Sequence, residues 1–194
     1  MADDQYRQDG NVYIVEHLRG PNRKGIYTVD NPIDLRIVIP KVSFGDLGTY
    51  GVSLELKIQK GFKTDLMSGP FFWLDKKYAL AWFTHDILYC WRQDTPYPNA
   101  PPGWDKKRAA DAIMRSLLPP VLGAVAQKGV ELMGKGAWDT QQSNLNNQRR
   151  SVCPIVTLLS VARPPPTQPT GFKPHETPIN VIPSQMPQFQ SDQK

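Results

Sequence analysis

Proline limits how this chain can fold more than any other residue, because each proline locks φ and removes a backbone hydrogen-bond donor. The 194 residues include 19 prolines, and eight of these lie in the last 32 residues. The segment 163–194 therefore lacks a backbone donor at one residue in four and has little apolar surface to bury. We predict that it forms an extended, proline-rich C-terminal arm that cannot fold by itself.

Glycine, proline and asparagine divide the N-terminal third into short segments in which β-branched or aromatic residues alternate with polar ones. This pattern predicts a small antiparallel sheet within 11–65, preceded by a flexible N-terminus at 1–10. The strands are expected at 12–15, 25–29, 35–39 and 52–58.

Helices are predicted in the middle of the chain. Residues 76–92 combine aromatic and aliphatic side chains without a turn former, which favours a mostly buried helix. The prolines at 96–102 predict a loop, and the amphipathic pattern of 104–118 predicts a second helix that ends at the following proline pair. A third helix over 121–137 contains several glycines, so it needs close packing to form.

The last apolar segment before the arm, 152–162, is predicted to be a strand, after a polar linker at 140–150. These segments together predict an α+β fold in one domain over 11–162, with strands mainly at 11–65 and helices mainly at 76–137. In this fold the small N-terminal antiparallel sheet packs on a two- or three-helix unit.

Composition excludes several classes of protein. No apolar run approaches the roughly 20 residues that span a bilayer, and the first residues lack the basic and apolar regions of a signal peptide. We therefore expect no transmembrane segment and no secretion by a signal peptide.

The net charge of +5 permits an anionic partner, but without a long basic run we expect no nucleic-acid partner. Cys90 and Cys153 are expected to stay reduced.

The residues that point to chemistry lie on the first two predicted helices. His85 and Tyr89 are four residues apart and share one helix face. The proline loop lets the next helix return antiparallel, which would bring Asp111 to His85. A carboxylate on one imidazole nitrogen leaves the other nitrogen to take a proton from water, and a tyrosine can donate to the same carboxylate. We predict His85, Asp111 and Tyr89 as catalytic residues.

A metal site is predicted beside this group. Asp86 lies about 100° around the helix from His85, so it can face the substrate and hold a hard cation that polarises an ester carbonyl. Asp65, in a polar stretch just upstream, is a further ligand or a supporting group.

Structural alternatives stay open for His85, Asp86 and Asp65, of which Asp65 can be a turn cap. His85 can be a core histidine with a satisfied hydrogen bond, and Asp86 can pair with Arg92 or a lysine. The nearby cations are expected to be solvated, namely Lys76, Lys77, Arg92, Lys106, Lys107 and Arg108.

Three motifs resemble known proteins. Gly61-Phe62-x-Thr64-Asp65, His85-Asp86-x-Leu88-Tyr89 and Arg108-x-Ala110-Asp111 resemble a family of small proteins encoded in tailed bacteriophages and prophages. The second and third motifs also resemble the active-site helix pair of calcium-dependent phospholipases of the bacterial and parvoviral kinds.

The phospholipase resemblance implies a role for each matching residue. His85 would be the base, Asp86 a calcium ligand and Asp111 the group that orients His85, with Tyr89 in support. The sequence departs from those enzymes ahead of the helix, where they carry a glycine-rich calcium loop and 64–74 contains a single glycine.

Two functions follow as hypotheses. The first is a phage-encoded, particle-associated ester hydrolase that acts on lipid or cell-envelope material. The second is a non-catalytic virion protein of the tail, neck or capsid, whose proline-rich arm binds neighbouring virion subunits. Both place the protein in the virion or the host cytoplasm.

Overall fold

The computed structural model describes residues 2–66, 76–91, 103–146, 154–162 and 180–183. Within these ranges the helices are α1 (Ala2–His17), α2 (Ala79–Tyr89), α3 (Lys106–Leu117) and α4 (Pro120–Asn146). The strands are β1 (Leu18–Arg19), β2 (Tyr27–Val29), β3 (Ile33–Ser43), β4 (Thr49–Ile58), β5 (Lys63–Thr64), β6 (Ile155–Ala162) and β7 (Asn180–Pro183). The predicted α+β class is confirmed.

The main sheet has four antiparallel strands in the order β6-β4-β3-β7. Its centre is the β3–β4 hairpin, in which Leu35 faces Leu56 and Ile37 faces Leu54. All four side chains are fully buried, whereas the intervening Arg36 is exposed. Alternation of period two in the sequence therefore sets which face of the sheet meets the core.

A second, three-stranded sheet has the order β1-β2-β5 and is also antiparallel. Phe62, just before β5, packs edge-to-face on Phe83 of α2, with ring centroids 6.0 Å apart. This contact fixes the end of β5, and with it Thr64, against the helix that carries the predicted catalytic histidine.

Helix α2 is a core helix, as predicted, because all its residues except Asp86 are buried. It packs against α1 and α3, and α3 packs against α4 and β3. Two side chains cap these helices: the Asn11 side-chain oxygen accepts from the Leu80 N–H at 2.9 Å, and Asp105 accepts from the Arg108 N–H at 2.8 Å.

The strand predicted at 12–15 is wrong, because these residues lie in α1. Residues 2–10, predicted as a flexible N-terminus, form the first turns of the same helix. A run of four apolar residues does not distinguish a strand from a buried helix segment. Packing decides the outcome, since Ile14 is fully buried in the core while its neighbour Val12 is half exposed.

Helix α4 starts at Pro120, a position where the missing N–H of proline has no intrahelical partner to lose. It continues to Asn146, through most of the segment predicted as a linker at 140–150. Close packing explains the first of its glycines: a β-carbon at Gly123 would lie 2.7 Å from the Arg115 carbonyl oxygen.

The predicted late strand is confirmed as β6. Part of the predicted arm, Asn180–Pro183, is strand β7 and pairs with β3. The rest of the arm, 163–179 and 184–194, lies outside the described residues, as do Cys153 and the predicted loop at 96–102. No helix in the described ranges is both long and apolar enough to cross a membrane.

Candidate active site

The predicted meeting of His85 with Asp111 is present between α2 and α3. His85 Nε2 lies 3.0 Å from Asp111 Oδ1, and both side chains are largely buried. Tyr89 at the end of α2 meets Lys107 at the start of α3, while Tyr78 and Leu117 at the opposite ends line one cavity. The two helices therefore run antiparallel, which is what brings a histidine and an aspartate 26 positions apart into contact.

Tyr89 completes the predicted group. Its hydroxyl donates to Asp111 Oδ1 at 3.0 Å, and its ring lies 4.1 Å from the His85 ring between centroids. Burial, together with the neighbouring Asp111 carboxylate, raises the pKa of Tyr89. The phenol therefore stays protonated and acts as a hydrogen-bond donor to the carboxylate.

Lys107 is a fourth member that the sequence did not predict, since it was expected to be solvated. Its ammonium donates to Asp111 Oδ2 at 2.8 Å and to the Val130 carbonyl of α4 at 3.4 Å. Burial alone would raise the pKa of Asp111, but the bonds from His85 and Lys107 outweigh it and hold that pKa below its usual value. Asp111 is therefore an ionised carboxylate with three donors around it.

The hydrogen bond to Asp111 uses Nε2 of His85, so Nδ1 is the nitrogen left for a proton transfer. No residue in the described part of the chain hydrogen-bonds to Nδ1. An ionised carboxylate on Nε2 favours the tautomer in which Nε2 carries the proton and Nδ1 accepts one. The group therefore has the arrangement of a general base with its orienting acid.

Asp86 faces a different partner, as its position on the helix predicted. Asp86 accepts a hydrogen bond from the Thr64 hydroxyl. Thr64 Oγ1 in turn accepts a hydrogen bond from the Leu66 N–H at 2.9 Å. This arrangement ties α2 to the end of β5. Asp65, the other predicted metal ligand, is half-buried beside Thr64.

These residues do not assemble a calcium site by themselves. Calcium takes six to eight oxygen ligands. The described ranges contain no group of three or more His, Cys, Asp or Glu side chains that could hold a metal ion. Arg92 and most of the segment that corresponds to the calcium loop of the phospholipases, residues 67–74, lie outside these ranges.

Helix α4 covers one side of the group. A β-carbon at Gly134 would lie 2.6 Å from the Tyr89 hydroxyl oxygen, so this glycine is the only residue type that fits the present packing. The Trp138 ring packs edge-on to Tyr89 with centroids 5.3 Å apart. A large cavity of about 620 Å³ lies elsewhere, at the start of α2.

Sequence reasoning missed Lys107, Thr64 as the partner of Asp86, and Gly134. Lys107 could have been found from its spacing, because it stands four residues before Asp111 on a predicted helix. The role of Gly134 depends on the path of α4 across α2, and no local pattern reveals that path.

A scan against protein-family models matched no family. Searches of curated proteins and of solved structures also found no match. The resemblance to phage proteins and to phospholipases therefore stays a prediction from the sequence motifs.

Proposed function

We propose that this protein is a phage-encoded, particle-associated ester hydrolase in which His85 activates water against a lipid or cell-envelope ester. The observation that carries this proposal is the contact of His85 Nε2 with Asp111 Oδ1 at 3.0 Å, with Tyr89 bound to the same oxygen. Such an arrangement leaves Nδ1 of His85 as a proton acceptor.

The proposed reaction uses this proton acceptor twice. Water gives a proton to Nδ1 as its oxygen bonds to the ester carbonyl carbon. The imidazolium that forms is stabilised by the Asp111 carboxylate, which Lys107 and Tyr89 hold in place. When the tetrahedral intermediate collapses, the bond to the alkoxy oxygen breaks and Nδ1 returns the proton to the leaving alcohol. The products are a carboxylic acid and an alcohol.

Calcium beside Asp86 is a separate part of the proposal, and no step above depends on it. Thr64 and Asp86 supply oxygen atoms next to each other at the end of β5. Assays with added calcium chloride and with a chelator test whether these oxygens belong to a calcium site.

The experiment is a hydrolysis assay of the purified full chain on phospholipid vesicles and on soluble acyl esters. His85→Gln should lower the rate by about 10²- to 10⁴-fold, as expected for loss of a general base. His17→Gln is the matched control, because within the described residues the only hydrogen bond of the His17 ring is to the Tyr13 carbonyl of its own helix, at 2.8 Å. Wild-type turnover no higher than that of His85→Gln would refute the proposal.

We also propose a second function, that of a non-catalytic virion component. The observation that favours it is the number of elements joined at Asp111, which binds residues of α2 and α3 and, through Lys107, a carbonyl of α4. A buried network of this kind can serve as a brace. Co-sedimentation of the full chain with phage particles, without any esterase turnover, would favour this function over hydrolysis.

A further inference from the structure

The cavity at the start of α2 is separate from the His85 group. Its volume of about 620 Å³ falls within the range of about 300–1,000 Å³ typical of small-molecule sites. One wall is apolar and comes from Val12 and Val15 of α1 and from Leu117 and Pro119 at the end of α3. The wall therefore fits a flexible hydrocarbon chain.

The charged part of the lining is mainly cationic. Lys76 and Lys77 both line the cavity and are exposed. Within the described residues neither lysine forms an ion pair, and Lys77 lies 5.5 Å from the centroid of the Tyr78 ring. Glu16 also lines the cavity, so the three charges leave one net positive charge.

A hydrogen-bond donor faces the same space. Asn11 lines the cavity, and its side-chain oxygen is already occupied by the Leu80 N–H at 2.9 Å. The amide NH₂ of Asn11 is therefore the group left to bind a ligand, and it can only donate. Two ammonium groups and an amide donor next to an apolar wall favour an anionic head on an apolar tail.

We propose that this cavity binds a single-chain amphiphile with an anionic head group, of which a long-chain fatty acid is the simplest example. The head group contacts Lys76, Lys77 and the Asn11 amide. The hydrocarbon chain lies along Val12, Val15 and Leu117. Val12 is 51% exposed at the cavity, so the chain has an apolar entrance from solvent.

The test is a titration of the full chain with a fluorescent long-chain fatty acid below its micelle concentration. Saturable binding is expected for the wild type. Lys76→Gln with Lys77→Gln should weaken it roughly tenfold, through loss of charge-assisted hydrogen bonds. Lys41→Gln with Lys128→Gln removes the same charge from exposed positions elsewhere and should leave the affinity unchanged.

Two further variants test the contacts of the hydrocarbon chain and of the head group separately. Val12→Trp should block the entrance and weaken binding without entering the core, because Val12 is half exposed. Glu16→Gln should tighten binding, because it removes the one negative charge of the lining.

Several results would overturn the proposal. One is the absence of saturable binding, and another is binding of the long-chain alcohol as tight as that of the fatty acid. A third is an equal loss of affinity in the two double lysine variants. The last is binding of the protein to anionic vesicles without binding of the monomeric fatty acid. His85→Gln should bind the probe as the wild type does, since His85 does not line the cavity. The outcome is therefore independent of the ester hydrolase proposal.

Discussion

Replacing Gly134 by alanine should destabilise the protein, although alanine is the better helix former. The added β-carbon would lie 2.6 Å from the Tyr89 hydroxyl oxygen. That hydroxyl is held by its bond to Asp111 at 3.0 Å, and the ring is packed against Trp138. Either Tyr89 leaves the carboxylate or α4 moves away from α2.

The size of the effect follows from two opposing contributions. Alanine in place of glycine inside a helix stabilises by up to about 1 kcal/mol. A lost hydrogen bond to a charged group costs about 1.5–3 kcal/mol. Gly134→Ala should therefore lower the free energy of unfolding by about 0.5–2 kcal/mol. Gly129 and Gly136 have open space at the β-carbon position, so alanine there should stabilise by about 0.5–1 kcal/mol.

The three variants differ only in position along one helix, which makes them matched controls. Urea denaturation of each gives the free energy of unfolding. Thermal melts should separate Gly134→Ala from the other two by several degrees, at about 2–4 °C per kcal/mol for a chain of this size. If Gly134→Ala were as stable as Gly136→Ala, the packing of α4 on Tyr89 described above would be incorrect.

Two other predictions concern stability. The pKa of Asp111 is lowered in the folded state. Its contribution to the free energy of unfolding is therefore present above about pH 4, the pKa in the unfolded chain, and is lost as the pH falls through the pKa in the folded protein. Asp111→Asn should therefore lower the free energy of unfolding by about 3–5 kcal/mol at pH 7. Urea denaturation from pH 7 to pH 3 should show that the difference between the wild type and this variant becomes smaller. A difference that stays constant would contradict an ionised Asp111. Asn11→Ala and Asp105→Ala should each cost about 1 kcal/mol by removing a helix cap. Unchanged melting temperatures would show that solvent replaces these caps.

The elements that local pattern determines were predictable. The β3–β4 hairpin follows from the alternation of apolar and polar residues, and the helix boundary at Pro119 and Pro120 follows from the chemistry of proline. The contact of His85 with Asp111 was predictable for the same reason. It depends on one helical spacing and on the antiparallel arrangement of α2 and α3 that the proline-rich segment predicted.

The elements that depend on tertiary packing were not predictable. Helix α1 forms where the sequence favours a strand, because burial of Ile14 and the Asn11 cap on α2 act only in the folded protein. Lys107 stands in a run of basic residues typical of a solvated face. Its spacing to Asp111 was readable from the sequence, but its second bond, to the Val130 carbonyl, depends on the path of α4.

The positions of the main-sheet strands along the chain have a consequence for biosynthesis. Its two inner strands end at residue 58, whereas their outer neighbours begin at residues 155 and 180. During translation the central hairpin leaves the ribosome roughly a hundred residues ahead of either neighbour, with unpaired N–H and C=O groups along both sides. The nascent chain is therefore most prone to wrong strand pairing in this interval, and closing the sheet is a late step between distant parts of the polypeptide.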